Sequence, residues 1–177
     1  MWQIRAERTG DENDIENLAD QGFGPGRFAK TAYRLREGVA ADARLSFVAE
    51  QNDTGALLGS VRFWPIRVGG SLQLLLGPLA VAPQLRGRGI GIGLMQRGIE
   101  AARDLDYDAV LLVGDEPYYA KVGFSKLAQG QVRFPGPVDY DRVLGLALKA
   151  GALARLSGEV RRARIDYPVC AQAAKLG

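Results

Sequence analysis

The sequence predicts an α/β (α+β) fold: a mixed, mostly antiparallel central sheet with one parallel βαβ unit and helices on both faces. Antiparallel hairpins in the first half of the chain are the first observation behind this prediction. The second is a glycine-rich turn and an amphipathic helix between two apolar segments, which makes the two flanking strands parallel. With 177 residues, the chain is long enough for one domain with a sizeable core.

The N-terminal third begins with a strand and continues with two helices. Residues 2–6 alternate apolar and polar side chains, which is typical of a half-buried strand. Asp11 stands where it can N-cap the next helix. The sequence FGPGR ends that helix, and residues 28–38 predict a second helix that closes at Gly38. Helical spacing predicts that the inner face of the first helix consists of Ile15, Leu18 and Ala19.

Three further strands follow in an antiparallel arrangement. Residues 45–50 and 57–68 have strand composition, and Gly69-Gly70 predicts a two-residue hairpin turn because such turns need positive φ. The returning strand covers residues 71–83. It contains Gly77-Pro78 where a central strand should pair, and proline cannot donate a ladder hydrogen bond. A bulge or a splayed strand is therefore expected there.

The parallel unit is centred on the segment PQLRGRGIGIGLMQRG, residues 83–98. The helix that starts in it carries apolar residues at helical spacing and polar residues on the other side. Residues 109–115 are nearly all apolar, as in a strand buried on both faces. Residues 1–150 are thus expected to form one domain, and residues 151–177 a C-terminal extension that packs on it and covers a sheet edge or lies outside the core.

Composition excludes several kinds of chemistry. The chain has no histidine, so catalytic triads and histidine-ligated metal sites are excluded, and no metal is expected. A lone cysteine, Cys170, gives no intrachain disulfide and fits a reducing compartment. The N-terminus does not resemble a signal peptide, and no apolar run reaches the length of a membrane span, so a cytoplasmic protein is expected.

The glycine-rich turn predicts a phosphate site. A strand–turn–helix junction presents unpaired amides and the positive end of the helix dipole, and glycine lets the backbone approach an anion closely. Arg86 and Arg88 add positive charge at the rim. A P-loop is excluded because no Lys-Ser/Thr pair is in position, and a GxGxxG fingerprint is excluded because its third glycine is missing from every frame.

The pattern Arg86-x-x-Gly89-x-Gly91 resembles the acyl-CoA-binding motif of the GNAT superfamily of N-acyltransferases, (Q/R)xxGx(G/A). The resemblance implies that the turn amides hold the CoA diphosphate and that the preceding strand binds pantetheine through its backbone. The segment YYAKVGF supports it, since Tyr119, Gly123 and Phe124 match a Tyr-x-x-x-Gly-Phe pattern of the family. The cofactor-binding residues so implied are Leu79, Ala80, Val81, Arg86, Gly87, Arg88, Gly89, Ile90 and Gly91.

The resemblance also implies a catalytic residue. Tyr119 is expected to donate a proton to the leaving thiolate. The general base is open, because the stretch LLLGPLAV lacks the glutamate that many members carry there. Asp115, Glu116, Glu50 and water are the candidates, although Asp115 also suits the cap of a short helix. Many members also have Asn-x-x-Ala before the tyrosine, where this chain has GDEP.

The expected function is acetyl-CoA-dependent N-acetyl transfer to a primary amine by direct attack in a ternary complex. A non-catalytic acyl-CoA-binding or sensing module is the alternative. The acceptor is a small-molecule or peptide amine, and its pocket is expected from residues 23–38, the RFWPIRV hairpin and the C-terminal segment. The RRAR run at 161–164 is interleaved with acidic residues and aromatic residues are sparse, so no nucleic-acid partner is expected. No membrane partner is expected either, since no apolar run is long enough to span a bilayer. A homodimer is an open alternative.

Overall fold

A computed structural model describes residues 1–165 of the chain. Within that part, strands β1 to β9 occupy Trp2–Ala6, Ser46–Gln51, Leu57–Val68, Ser71–Val81, Ala109–Val113, Ser125–Lys126, Val132–Arg133, Val143–Ala147 and Gly158–Arg162. Helices α1 to α5 occupy Glu12–Phe23, Thr31–Arg34, Ile90–Asp104, Glu116–Tyr119 and Ala152–Arg155. In residues 1–165, no helix is both long enough and apolar enough to cross a bilayer.

The strands form one mixed sheet, which confirms the predicted fold class. The main path runs β1-β2-β3-β4-β5-β8-β6, and every neighbouring pair on it is antiparallel except β4–β5. The Gly69-Gly70 turn joins β3 to β4 with both glycines at positive φ, as predicted, so that Val68 pairs with Ser71. The parallel β4–β5 pair is connected through α3, which is the predicted βαβ unit.

Helices cover both faces of this sheet. One core cluster packs α3 against β2 to β5 through residues such as Leu94 and Met95. On the other face, Leu18 of α1 contacts Ala80 and Ala82. Ile15, Leu18 and Ala19 are buried, as predicted.

A bulge in β4 changes which side chains face α3. Phe63 pairs with Leu76 but Val61 pairs with Leu79, so β4 has one more residue than β3 in this interval. The extra residue lies at Gly77-Pro78, where the sequence predicts a bulge. Leu74 and Leu76 face α3 before the bulge, and Leu79 and Val81 do so after it.

Two sequence predictions about the N-terminal third need correction. The helix predicted over residues 28–38 is α only at Thr31–Arg34; the chain then continues in tighter i→i−3 turns, such as Arg36 N to Tyr33 O at 3.0 Å. Asp11 does occupy the N-cap position of α1, but its side chain makes no capping bond. Its carboxylate accepts from Arg5 instead, at 2.7 and 3.0 Å, which lowers the pKa of Asp11.

The described part of the C-terminal segment covers a sheet edge. β9 pairs antiparallel with Ile66–Val68 of β3, beyond the stretch that β2 covers. Val160 is buried, while Arg161 pairs with Glu159 at the surface. Cys170 lies outside the described residues, and the division of the chain at residue 150 stays a prediction.

Candidate active site

β4 and β5 separate immediately after they pair. Their parallel register consists of Leu74 with Val110 and Leu75 with Leu111. The Gly77-Pro78 bulge follows, and the Trp64 indole N–H donates to the Gly77 carbonyl at 2.6 Å. Residues 79–81 continue to pair with β3 on one side only, so their other side borders the gap between β4 and β5.

The glycine-rich turn lies at the end of this gap. Gly87 and Gly89 have φ of +80° and +83°, a region that favours glycine, and a Cβ on either residue would meet open space. The first helical hydrogen bond of α3 runs from Gly93 N to Gly89 O at 2.9 Å. The amides of residues 90–92 therefore have no acceptor within the helix. This is the arrangement that binds anions at a helix N-terminus.

The next two glycines have a different role. A Cβ on Gly91 would overlap the hydroxyl oxygen of Tyr118, and a Cβ on Gly93 would lie 3.1 Å from Ile4 and 3.4 Å from Trp2. Gly87 and Gly89 thus allow the turn, whereas Gly91 and Gly93 allow close packing of α3 against its neighbours. The regular spacing of the four glycines in the sequence does not distinguish these two roles.

A cavity of about 770 Å³ connects the turn to the gap. Eight of the nine predicted cofactor-binding residues line it, and the ninth, Arg88, is exposed and is not among the lining residues. The cationic side chains in its wall outnumber the two acidic ones, Asp115 and Asp139. These cationic residues are Lys30, Arg36, Arg86, Lys121 and Arg142.

Tyr119, the last residue of α4, lies in the wall of the same cavity. Its ring packs edge-on against Phe124, with centroids 6.1 Å apart, and fills the space beside Gly114. Burial raises the pKa of Tyr119 to about 12, with smaller contributions from Tyr118 and Asp115. The phenol therefore stays protonated at neutral pH and is able to donate a proton.

The structure separates the candidate bases. Asp115 lines the cavity, makes no capping bond to α4 and pairs with Arg142 at 3.2 Å. Glu116 lies 3.9 Å from Lys126, and Glu50 is paired with Arg5; neither lines the cavity. Among residues 1–165, no group of three His, Cys, Asp or Glu side chains is placed to hold a metal ion.

Sequence reasoning missed Arg36. Its guanidinium stacks over the Tyr33 ring at 4.6 Å, with Trp64 at 5.9 Å, and burial lowers its pKa to about 10. Its Nε and Nη1 atoms are buried without an acceptor in the described structure. The residue belongs to a segment with several charged residues, which is typical of an exposed surface, so only the tertiary structure reveals that it turns inward.

The wall opposite the glycine turn agrees with the sequence only in part. Part of the segment expected to form the acceptor pocket lines the cavity, through Lys30, Thr31, Ala32, Tyr33 and Arg36. The RFWPIRV hairpin contributes no lining residue, and neither does the described part of the C-terminal segment. Residues 137–139 take that place, and the backbone carbonyl of Pro137 accepts a hydrogen bond from Thr31 at 2.6 Å.

Comparison with known proteins gives consistent results. The profile of the acetyltransferase (GNAT) family matches residues 13–124. The N-acetyltransferase YhbS of Escherichia coli K12 is 33% identical over 137 residues, which cover 76% of this chain and 80% of that protein. The N-acetyltransferase YjhQ of the same strain is 31% identical over 131 residues, covering 72% of this chain and 71% of YjhQ.

Solved structures with the same fold include two that contain the coenzyme. The crystal structure of Escherichia coli YhbS in complex with CoA superimposes with a TM-score of 0.78 and 29% identity, covering 92% of this chain and 89% of that one. A GNAT family acetyltransferase from Brucella melitensis in complex with acetyl-CoA gives a TM-score of 0.69 and 27% identity, covering 92% and 96%.

Proposed function

The chain belongs to the GNAT family of acetyltransferases and is an N-acetyltransferase, and from this premise we propose that it transfers an acetyl group directly from acetyl-CoA to a primary amine in a ternary complex. The acceptor is a small-molecule or peptide amine. One observation carries the proposal: free helix amides, an unpaired strand edge and a protonated phenol all border a single cavity. The non-catalytic alternative leaves this phenol without a role.

The residues present suit acetyl-CoA. The proposed diphosphate site consists of the amides at residues 87–91, with the guanidinium of Arg86 beside them. Pantetheine carries amide groups, which can pair with the free side of residues 79–81. Arg88 is exposed at the outer side of the turn and can only add to the surrounding positive potential.

The chemical step then follows from the position of Tyr119. The neutral amine nitrogen attacks the thioester carbonyl carbon, and a C–N bond forms. A backbone N–H of residues 79–81 polarises the carbonyl oxygen. The attacking nitrogen, which becomes positively charged, releases a proton to water. The C–S bond breaks, the sulfur takes the electron pair, and the Tyr119 hydroxyl donates its proton to that sulfur. Tyr119 is later reprotonated from water.

In this proposal, the ammonium form of the acceptor first transfers a proton to water and so becomes the neutral amine. Asp115 and Asp139 are the carboxylates in the cavity wall, and both are exposed. Asp115 is also paired with Arg142, which makes its carboxylate less available to accept a proton from the amine. Water is therefore the acceptor of this proton, with Asp115 as the remaining side-chain candidate.

The experiment measures release of free CoA thiol from acetyl-CoA with a panel of primary amines, beside calorimetry of CoA binding. We expect Tyr119→Phe to lower kcat by roughly 100-fold or more and to leave the Kd for CoA unchanged. The matched control is Tyr140→Phe, since Tyr140 is an exposed phenol outside the cavity wall. An unchanged kcat would refute the acid role of Tyr119, and absence of CoA binding would refute the whole proposal.

We also propose that residues 151–177 pack on the same domain as residues 1–150. The pairing of β9 with β3 supports this for the described part of the segment. A cytoplasmic location likewise remains our proposal.

A further inference from the structure

Arg36 carries a charge that residues 1–165 leave uncompensated. Among residues 1–165, no carboxylate is paired with its guanidinium, and its Nε and Nη1 have no hydrogen-bond acceptor. The groups around it are aromatic: Tyr33, Trp64 and, at longer range, Tyr119. A buried cation without a partner is costly, because protein surroundings replace water poorly around an ion.

Arg36 lies at the reactive end of the cavity and not at its diphosphate end. Its Nη2 is 2.7 Å from the position that a Cβ on Gly77 would take. Gly77 precedes Val81 by four residues, which is roughly 13 Å along an extended strand, and the glycine turn lies beyond Val81. Tyr119 faces the same end of the gap. The charge of Arg36 is therefore placed to meet the acceptor, whereas Arg86 is placed to meet the phosphates.

The acidic residues of the cavity do not neutralise Arg36. Asp115 pairs with Arg142. The side chain of Asp139 accepts from the backbone amide of Asp141 at 3.0 Å. Since residues 1–165 supply no anion for Arg36, we look for that anion in a ligand. Pantetheine is uncharged at this end, so that ligand is the acceptor.

We propose that the acceptor amine carries a carboxylate and that Arg36 binds it, so that the enzyme acetylates amino acids or similar amino-carboxylates. This rests on the proposed acetyl transfer. The planar guanidinium matches a carboxylate in geometry, and it is desolvated in advance by its stacking on Tyr33. Binding of the carboxylate supplies the missing counter-charge and holds the amine at the end of the cavity where Tyr119 lies.

The test compares each amino-carboxylate with its own carboxamide. Glycine, β-alanine, γ-aminobutyrate, L-alanine and L-phenylalanine form one arm, and their five amides form the other. Rates of thiol release are corrected for the fraction of neutral amine, because the two arms differ in amine pKa. The proteins are the full chain and its variants Arg36→Met, Arg36→Lys and Arg34→Met. Arg34 is the matched control, since it lies only two residues away, at the end of α2, but is exposed and outside the cavity wall.

For at least one pair, we expect the unaltered protein to prefer the carboxylate by about tenfold or more in kcat/KM, as for a hydrogen bond to a charged group. In Arg36→Met that ratio should fall to about one, through a rise in KM for the acid, while the Kd for CoA stays unchanged. Arg34→Met should keep the ratio. Should Arg36→Met fail to fold, Arg36→Lys, which keeps the charge without the planar fork, should still raise KM for the acid alone.

Three results would overturn the proposal. They are a protein that acetylates the amides as well as the acids, a preference for acids that persists in Arg36→Met, and a protein that binds CoA but acetylates no member of the panel. In each of these cases, CoA binding measured by calorimetry would still support the proposed coenzyme site. Loss of CoA binding in the unaltered protein would instead refute the acetyl-transfer proposal itself. If Arg36 has only a structural role, Arg36→Met should have a lower thermal stability than the unaltered protein and the same preference for acids.

Discussion

Gly89→Ala tests whether the glycine turn holds a diphosphate. The change places a methyl group in open space at the cavity wall while φ is +83°. The left-handed conformation costs an L-residue about 1–2 kcal/mol, and reduced freedom of the unfolded chain returns about 0.4–1 kcal/mol. The net loss in the free energy of unfolding is therefore about 1 kcal/mol, or a fall of about 2–4 °C in Tm for a domain of this size.

The matched control is Gly130→Ala. Gly130 has φ of +77°, a Cβ there would also meet open space, and the residue does not line the cavity. The decrease in Tm should be the same in both variants. Only Gly89→Ala should weaken CoA binding, by about tenfold or more, which is about 1.4 kcal/mol. Thermal unfolding and calorimetry with CoA measure the two effects, and equal CoA affinities in the two variants would refute a diphosphate on these amides.

Three further predictions concern the neighbouring residues. Because burial raises the pKa of Tyr119 to about 12, the proton donor stays protonated, and kcat should not fall between pH 8 and 10; a fall with an apparent pKa near 10 contradicts this. Gly91→Ala should destabilise the protein by about 1–3 kcal/mol, and the cost should largely disappear when Tyr118→Phe removes the overlapping hydroxyl; urea unfolding of the four proteins measures this coupling. Gly98→Ala should cost a similar amount in urea unfolding despite the better helix propensity of alanine, because its Cβ would lie 2.6 Å from the Phe63 Cζ; unchanged stability would contradict that contact.

Local signals predicted the features of the fold that position the site. The strand at residues 2–6, the Gly69-Gly70 turn and the two faces of α3 each depend on neighbours in sequence, and the structure contains all three. The alternation of the strand holds for Trp2, Gln3 and Ile4 but not at its end, where Ala6 is exposed. The bulge at Gly77-Pro78 was predictable for the same reason, since proline lacks the N–H that a ladder needs.

Predictions failed where a distant residue competes with a local one. Asp11 and Asp115 both occupy N-cap positions, but arginines from other elements bind their carboxylates. Arg36 shows the same limit in the candidate site. Nothing in its local sequence indicates that it turns away from water, because its aromatic neighbour Trp64 comes from a strand almost thirty residues later.

The brief pairing of β4 with β5 gives this protein an edge strand in the interior of its sheet. Edge strands at the rim of a sheet invite association with other chains, because their peptide groups lack partners. Here the unsatisfied edge faces a cavity, where a small extended molecule can occupy it. Such a molecule acts as a missing strand. We therefore expect those amides of residues 79–81 that do not point to β3 to exchange with deuterated solvent quickly in the empty protein and slowly in the occupied one.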